Sequence, residues 1–170
     1  MKLALTVNRA PVTAEVEDRL SLADFLRDHC GLTGTHLGCE HGVCGACSVL
    51  LDGEPVRACI TLAAAVDGRE VTTIEGLDDD ASMAVIRECF SEAHGLQCGF
   101  CTPGMVIMVR DALARGRCES ESQVRQELAG NLCRCTGYAG IVKAALLARD
   151  RLNAAGAPAP SSQQKEASLP

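Results

Sequence analysis

Gly38-Cys39-Glu40-His41-Gly42-Val43-Cys44-Gly45-Ala46-Cys47 is the stretch on which the fold turns. It places three thiols at a Cys-x4-Cys-x2-Cys spacing in one short loop, and Gly38, Gly42 and Gly45 alternate with them. Glycines permit the positive-φ turns and close backbone approach that such a loop needs around a small anionic centre. Cys59 follows after eleven intervening residues and supplies a fourth thiol. Working outward, Leu3–Val7 reads as a strand, Asn8–Pro11 as a turn, and Val12, Ala14 and Val16 as the buried side of a second strand. Ser21 with Asp24 is a capping box that opens a helix from Leu22 to His29. Ser48–Leu51 and Val56–Ile60 flank the hairpin turn Asp52-Gly53, and Glu70–Ile74 is a last, β-branched strand. A thiol-rich loop set on a small mixed sheet with one helix is the expected N-terminal unit, residues 1–76.

After Gly76 the apolar period becomes helical. Helices are predicted from Ser82 to His94, from a Thr102 cap with Pro103 in its first turn to Gly116, from a Ser120/Gln123 capping box to Gly130, and from a Thr136 cap to Ala155. Four helices in this span read as a bundle, residues 77–155, and residues 156–170 as a polar tail or docking arm. Two of these helices follow cysteine pairs, Cys98-x2-Cys101 and Cys133-x-Cys135, so a second set of four thiols is expected to converge at paired helix N-termini. Helix N-termini favour anions, and here they would favour the reduced, more anionic form of a bound cluster.

The chain has 170 residues, 47 % of them hydrophobic, which is ample for packed cores. Lys plus Arg number 16 against 22 Asp plus Glu, for a net charge of −6. With no basic run, no Trp and a single Tyr, nucleic acid is not the expected partner. No apolar run approaches a membrane span. The apolar start Met1–Val7 meets Asn8-Arg9, too short for an export signal, so a cytoplasmic location is expected unless a partner's signal carries a folded complex out. Eleven cysteines in a reducing compartment read as metal ligands rather than bridges.

The first spacing is that of plant-type ferredoxins, which hold a two-iron, two-sulfide cluster, so Cys39, Cys44, Cys47 and Cys59 are the candidate first ligand set and Cys98, Cys101, Cys133 and Cys135 the second. Zinc is the competing reading, but zinc ribbons favour paired Cys-x2-Cys knuckles with about 15–20 residues between them, which a Cys-x4-Cys-x2-Cys loop and a Cys-x-Cys pair do not match. His36 and His41 are alternative ligands in the Rieske manner; four cysteines already suffice, so both are read as loop residues. Cys30, Cys89 and Cys118 are left over and are read as buried structural thiols. No catalytic set is expected: His29, His36, His41 and His94 form no triad-like pairing, and no glycine-rich nucleotide loop opens a Rossmann unit.

Three motifs stand in register: Gly38–Cys47, Gln97-Cys98-Gly99-Phe100-Cys101-Thr102-Pro103-Gly104, and Asn131-Leu132-Cys133-Arg134-Cys135-Thr136-Gly137-Tyr138. Together they resemble the small iron–sulfur subunit of xanthine oxidase-family molybdenum hydroxylases, over about residues 2–154. The resemblance implies an α+β chain: a β-grasp, plant-type ferredoxin-like domain followed by a C-terminal four-helix bundle. It implies two [2Fe–2S] clusters, a large partner subunit holding molybdopterin (the cytosine dinucleotide form in many bacteria), a medium partner subunit holding FAD, and a dimer of such heterotrimers. It implies an oxidoreductase acting on an aldehyde, an N-heterocycle or a similar substrate, with this chain as its electron carrier. By motif, Gln97 would hydrogen-bond the pterin and Cys135 would be the ligand nearest to it; Arg134, between two ligands, is read as a surface or interface cation rather than a catalytic one. A stand-alone two-cluster ferredoxin-like carrier and a structural zinc protein are the rival functions.

Overall fold

The computed structural model describes residues 1–156. The polar tail expected from 156 onward therefore lies, apart from Gly156, outside the described residues. Strand β1 (Lys2–Val7) buries Leu3, Leu5 and Val7 on one face, as a period of two requires. It turns through Asn8 and Arg9, both at positive φ, into β2 (Ala10–Glu15), with Val7 opposite Ala10. That two-residue loop matches the right-handed twist of the strands. Asp52 and Gly53 do the same between β3 (Ser48–Leu51) and β4 (Glu54–Arg57). Strand β5 (Glu70–Thr72) runs parallel to β1 and antiparallel to β3, giving the mixed order β2-β1-β5-β3-β4.

Helix α1 (Leu22–Asp24) begins as predicted, with Ser21 Oγ accepting from Asp24 N and donating to its carboxylate. It does not continue as a regular helix. Residues Phe25–His29 widen into a π-turn, closed by Cys30 N–H on Phe25 O, and adjacent Phe25 and Leu26 are both fully buried.

Four helices follow: α2 (Ala81–Glu92), α3 (Thr102–Ala114), α4 (Glu121–Glu127) and α5 (Ala139–Ala154). Two apolar clusters form. One, around Leu3, Leu22, Phe25, Val49 and Val71, lies on the sheet; the other, around Met83, Phe90, Met105, Ile107 and Ile141, lies among the helices. Strand β3 serves both, because Val49 and Leu51 face the sheet core while Leu50 faces the helical one. Helix α3 packs on β3 and β4 on one side and on α2 and α4 on the other, so every residue from Gly104 to Leu113 is buried. Each such large apolar side chain contributes roughly 1.5–3 kcal/mol by leaving water. No helix among the described residues is long and apolar enough to cross a membrane.

Candidate metal centres

The loop from Gly38 to Cys47 is folded by positive φ at Glu40, Gly42 and Gly45. Those turns aim backbone N–H groups inward: Cys44 N–H donates to Cys39 Sγ at 3.3 Å. The amides of Cys44 and His41 pull the Cys39 thiol down to about 6. Cys59 arrives on the 3-10 turn Ala58–Ile60 that follows β4. Ala58 N–H bonds Cys47 O, which sets Cys59 beside Cys47. Burial, and then the neighbouring Cys59 thiol, push Cys47 up to about 11. The first set is thus two thiol pairs, Cys39 with Cys44 and Cys47 with Cys59.

The second set repeats that division. Cys98 and Cys135 lie Sγ to Sγ at 3.5 Å, and Cys101 pairs with Cys133. The Phe100 N–H lowers the Cys98 thiol, and the Cys98 thiol raises that of Cys135. Burial and then Cys133 push Cys101 up to about 12. Burial also acts to raise Cys133, but the Thr136 hydroxyl and amide outweigh it and lower the thiol. Tyr138 Oη donates to Asn131 O and accepts from Cys133 N–H, both at 3.0 Å, bracing the loop that carries Cys133. Cys98 and Cys135 are exposed, Cys101 and Cys133 partly buried.

The two helix starts differ from the predicted symmetry. Cys101 itself caps α3, with Thr102 its first residue. Helix α5 starts only at Ala139, because the Thr136 hydroxyl is spent on Cys133 Sγ and Tyr138 N–H, and Gly137 and Tyr138 both take positive φ. Cys101 thus sits directly at the start of α3, whereas α5 starts four residues after Cys135.

Among the described residues, no three or more His, Cys, Asp or Glu close around a single point. The thiols instead fall in pairs, two pairs to a set. That donor chemistry fits a [2Fe–2S] cluster, which takes four thiolates, two at each iron. His36 and His41 each direct Nδ1 to a backbone carbonyl, of Phe100 and of Cys39 respectively. Cys89 and Cys118 are buried and Cys30 partly so, and burial raises all three thiols. Gln97 is exposed beside Cys98, and Arg134 is exposed between Cys133 and Cys135.

The two sets meet. Leu132 N–H donates to Cys44 O at 2.8 Å. The Phe100 ring stacks on His36 at 4.9 Å, and the space above Gly38 is shared by Phe100 Cε1 and Cys44 Sγ. The parts of this site that the motifs left without a role are Arg57, Asn131, Tyr138 and the His36–Phe100 stack. Asn131 and Tyr138 sit inside the third motif, whereas nothing in the run Glu54-Pro55-Val56-Arg57 marks Arg57.

A ferredoxin-like sheet bearing one thiol loop, packed on a helical half bearing another, defines an iron–sulfur electron-transfer protein. Comparison with known proteins narrows the class. Residues 5–72 match a 2Fe-2S iron-sulfur cluster binding domain and residues 73–146 a [2Fe-2S] binding domain. The chain is 48 % identical over 145 residues to the caffeine dehydrogenase subunit gamma of Pseudomonas sp. (strain CBB1), covering 84 % of this chain and 87 % of that one. It is 47 % identical over 146 residues to the nicotine 6-hydroxylase small subunit of Paenarthrobacter nicotinovorans, covering 86 % and 88 %. The structure of quinoline 2-oxidoreductase from Pseudomonas putida 86 superposes with a TM-score of 0.83 at 43 % identity, covering 91 % of this chain and 96 % of that one. The chain belongs to the family of small iron–sulfur subunits of xanthine oxidase-type molybdenum hydroxylases, which are oxidoreductases.

Proposed function

We propose that this chain carries electrons from a molybdopterin site in a large partner subunit to FAD in a medium partner subunit, within a dimer of heterotrimers that hydroxylates an aldehyde, N-heterocycle or similar substrate. The observation that carries this reading is the order of the thiols. Cys98 and Cys135 stand exposed, Cys101 and Cys133 lie further in, and the Leu132 amide beside Cys133 bonds the Cys44 carbonyl of the other set. Cys98, Cys101, Cys133 and Cys135 hold the cluster nearer the pterin, and Cys39, Cys44, Cys47 and Cys59 the one nearer the flavin. Each [2Fe–2S] cluster, when bound, supplies a reversible one-electron couple.

The chain's own residues do the rest. Gln97, exposed and next to Cys98, would hydrogen-bond the pterin through its side-chain amide. The two positioned loops fix the thiolates, and their amides stabilise negative charge on them. Exposed Leu96, Phe100 and Leu132 flank the outer thiols, and exposed Val43 and Ile60 flank the first loop, which suits apolar docking at both ends. Four-thiolate centres have no open coordination position, so substrate binds in the partner and no catalytic residue is assigned here.

Low-temperature EPR of the dithionite-reduced complex, with iron, sulfide and molybdenum measured on the same sample, tests the reading. Two distinct spin-half signals with two two-iron clusters per chain and co-purifying molybdenum are expected. Bound zinc without a signal would return the chain to a structural role. Both signals in a monomeric chain free of molybdenum would replace the subunit with a stand-alone carrier.

A further inference from the structure

Arg57 ends β4 and reaches from the sheet half into the helical half. Its Nη1 donates to Ser48 Oγ and lies 3.9 Å from Met108 Sδ. Its Nη2 donates to Gly130 O at 2.7 Å and to Asn131 Oδ1 at 2.9 Å. Asn131, only 2 % exposed, sends its Nδ2 back to Gly45 O at 3.2 Å. The same Gly45 carbonyl accepts from Ser48 Oγ at 2.6 Å. The ring of contacts therefore begins and ends on the loop of Cys44 and Cys47 and passes through the residues just before Cys133. The space within it is closed: a Cβ on Gly45 would stand 2.6 Å from Gly130 O, and one on Gly130 2.8 Å from Arg57 Nη2.

The planar guanidinium is what this geometry requires. It bonds acceptors on both halves from one rigid group, which a lysine ammonium cannot reproduce. The held segments are those joined by Leu132 N–H on Cys44 O. Between Cys133 and Cys44 every link is covalent except that one hydrogen bond.

We propose that Arg57 and Asn131 are positioning residues that clamp the two thiol loops together and thereby set the coupling between the two clusters, rather than the assembly of either. This rests on the two-cluster reading above. With the clamp intact, the Leu132–Cys44 bond stays closed and the separation of the clusters is single-valued. Without it, the sheet half and helical half remain packed through β3 and α3, while the loops acquire freedom to part.

The test uses the purified complex carrying Arg57→Met, Arg57→Lys or Asn131→Ala. Arg57→Met keeps the aliphatic stem beside Met108 and removes the donors. Iron and sulfide content and both EPR signals are expected at wild-type level in all three. The magnetic splitting between the two reduced clusters is expected to shrink or broaden into a distribution, and electron redistribution between them after rapid reduction to slow severalfold. Arg57→Lys keeps the charge, so midpoint potentials should hold while the splitting still changes. Wild-type splitting and redistribution in Arg57→Met and Asn131→Ala would overturn the clamp. Full rescue by Arg57→Lys would also overturn it, since charge alone would then suffice. Loss of one signal from a folded variant would assign these residues to building a cluster, again overturning the proposal. A wild-type complex lacking two clusters would instead overturn the reading beneath it, and no variant is needed to see that.

Discussion

At Gly45 the backbone holds φ at +73°, and a Cβ there would meet Gly130 O at 2.6 Å and Asn131 Cγ at 2.7 Å. Both obstacles belong to the held segment, so neither can move cheaply. Gly45→Ala is therefore expected to cost about 2–4 kcal/mol from strain and overpacking together, and to distort the first centre before the second. Thermal unfolding and the two EPR signals measured separately would check this, and an unchanged melting temperature would contradict it. The spare thiols give a contrasting expectation. Burial pushes Cys118 up to about 11 and raises Cys89, so neither ionises at pH 8. Thiolates, not thiols, are alkylated. Iodoacetamide at that pH should leave both unlabelled in the native complex and label them once it is unfolded, as peptide mass analysis would show.

Among the elements, α2 depends on one carboxylate. Asp80 caps it by accepting from Ser82 N–H and Oγ–H, and also accepts Arg110 Nε at 2.8 Å, with Arg110 7 % exposed. Burial acts to raise the Asp80 carboxyl, but Ser82 and Arg110 outweigh it and hold it below the ordinary value. A depressed folded-state value means stability that is fully present above about pH 4, where the unfolded carboxylate is ionised, and lost as pH falls through the lower folded value. Asp80→Asn keeps a competent cap but strands Arg110, so it should cost about 3 kcal/mol near neutrality. Its unfolding free energy should also lose the part of the decline below about pH 4 that Asp80 contributes to the wild type; denaturant titrations at several pH values would measure both. The cap at Asp80 lies two residues before the Ser82 that the periodicity marks, a shift of the kind expected at helix ends. Strand β1, the Asp52-Gly53 turn and the Ser21 and Ser120 caps could be read from the residues because each is a local preference. The turn expected over Asn8–Pro11 instead narrows to Asn8-Arg9, with Ala10 and Pro11 already paired in β2, and the strand expected over Val56–Ile60 ends at Arg57 and gives way to a 3-10 turn. The late start of α5 could not, because Thr136 is drawn away by Cys133, a contact that only the folded loop creates. The widened turn after Asp24 was hidden likewise, since it follows from burying adjacent Phe25 and Leu26 in a tertiary core.

Across the whole molecule, thiol spacing identifies the two candidate ligand sets, but how they are joined is a tertiary matter. Arg57 and Asn131 are 74 positions apart and meet only because β3 lies between the two cores. That layout makes the order of electron flow testable by cutting the chain of thiols at either end. Cys135→Ser removes a thiol from the exposed pair, where electrons are proposed to enter; Cys44→Ser removes one whose carbonyl receives the Leu132 amide. Reduced anaerobically by its own substrate, the Cys44→Ser complex should show molybdenum and the Cys98/Cys101/Cys133/Cys135 centre reduced while the flavin stays oxidised. The Cys135→Ser complex should hold its electrons at molybdenum, with the first centre and flavin both oxidised. Freeze-quench EPR together with the flavin absorbance would separate the two patterns. Flavin reduction at the wild-type rate in Cys44→Ser would mean that electrons bypass the first loop. In that case the short path from Cys133 through Leu132 to Cys44 would be a structural joint alone.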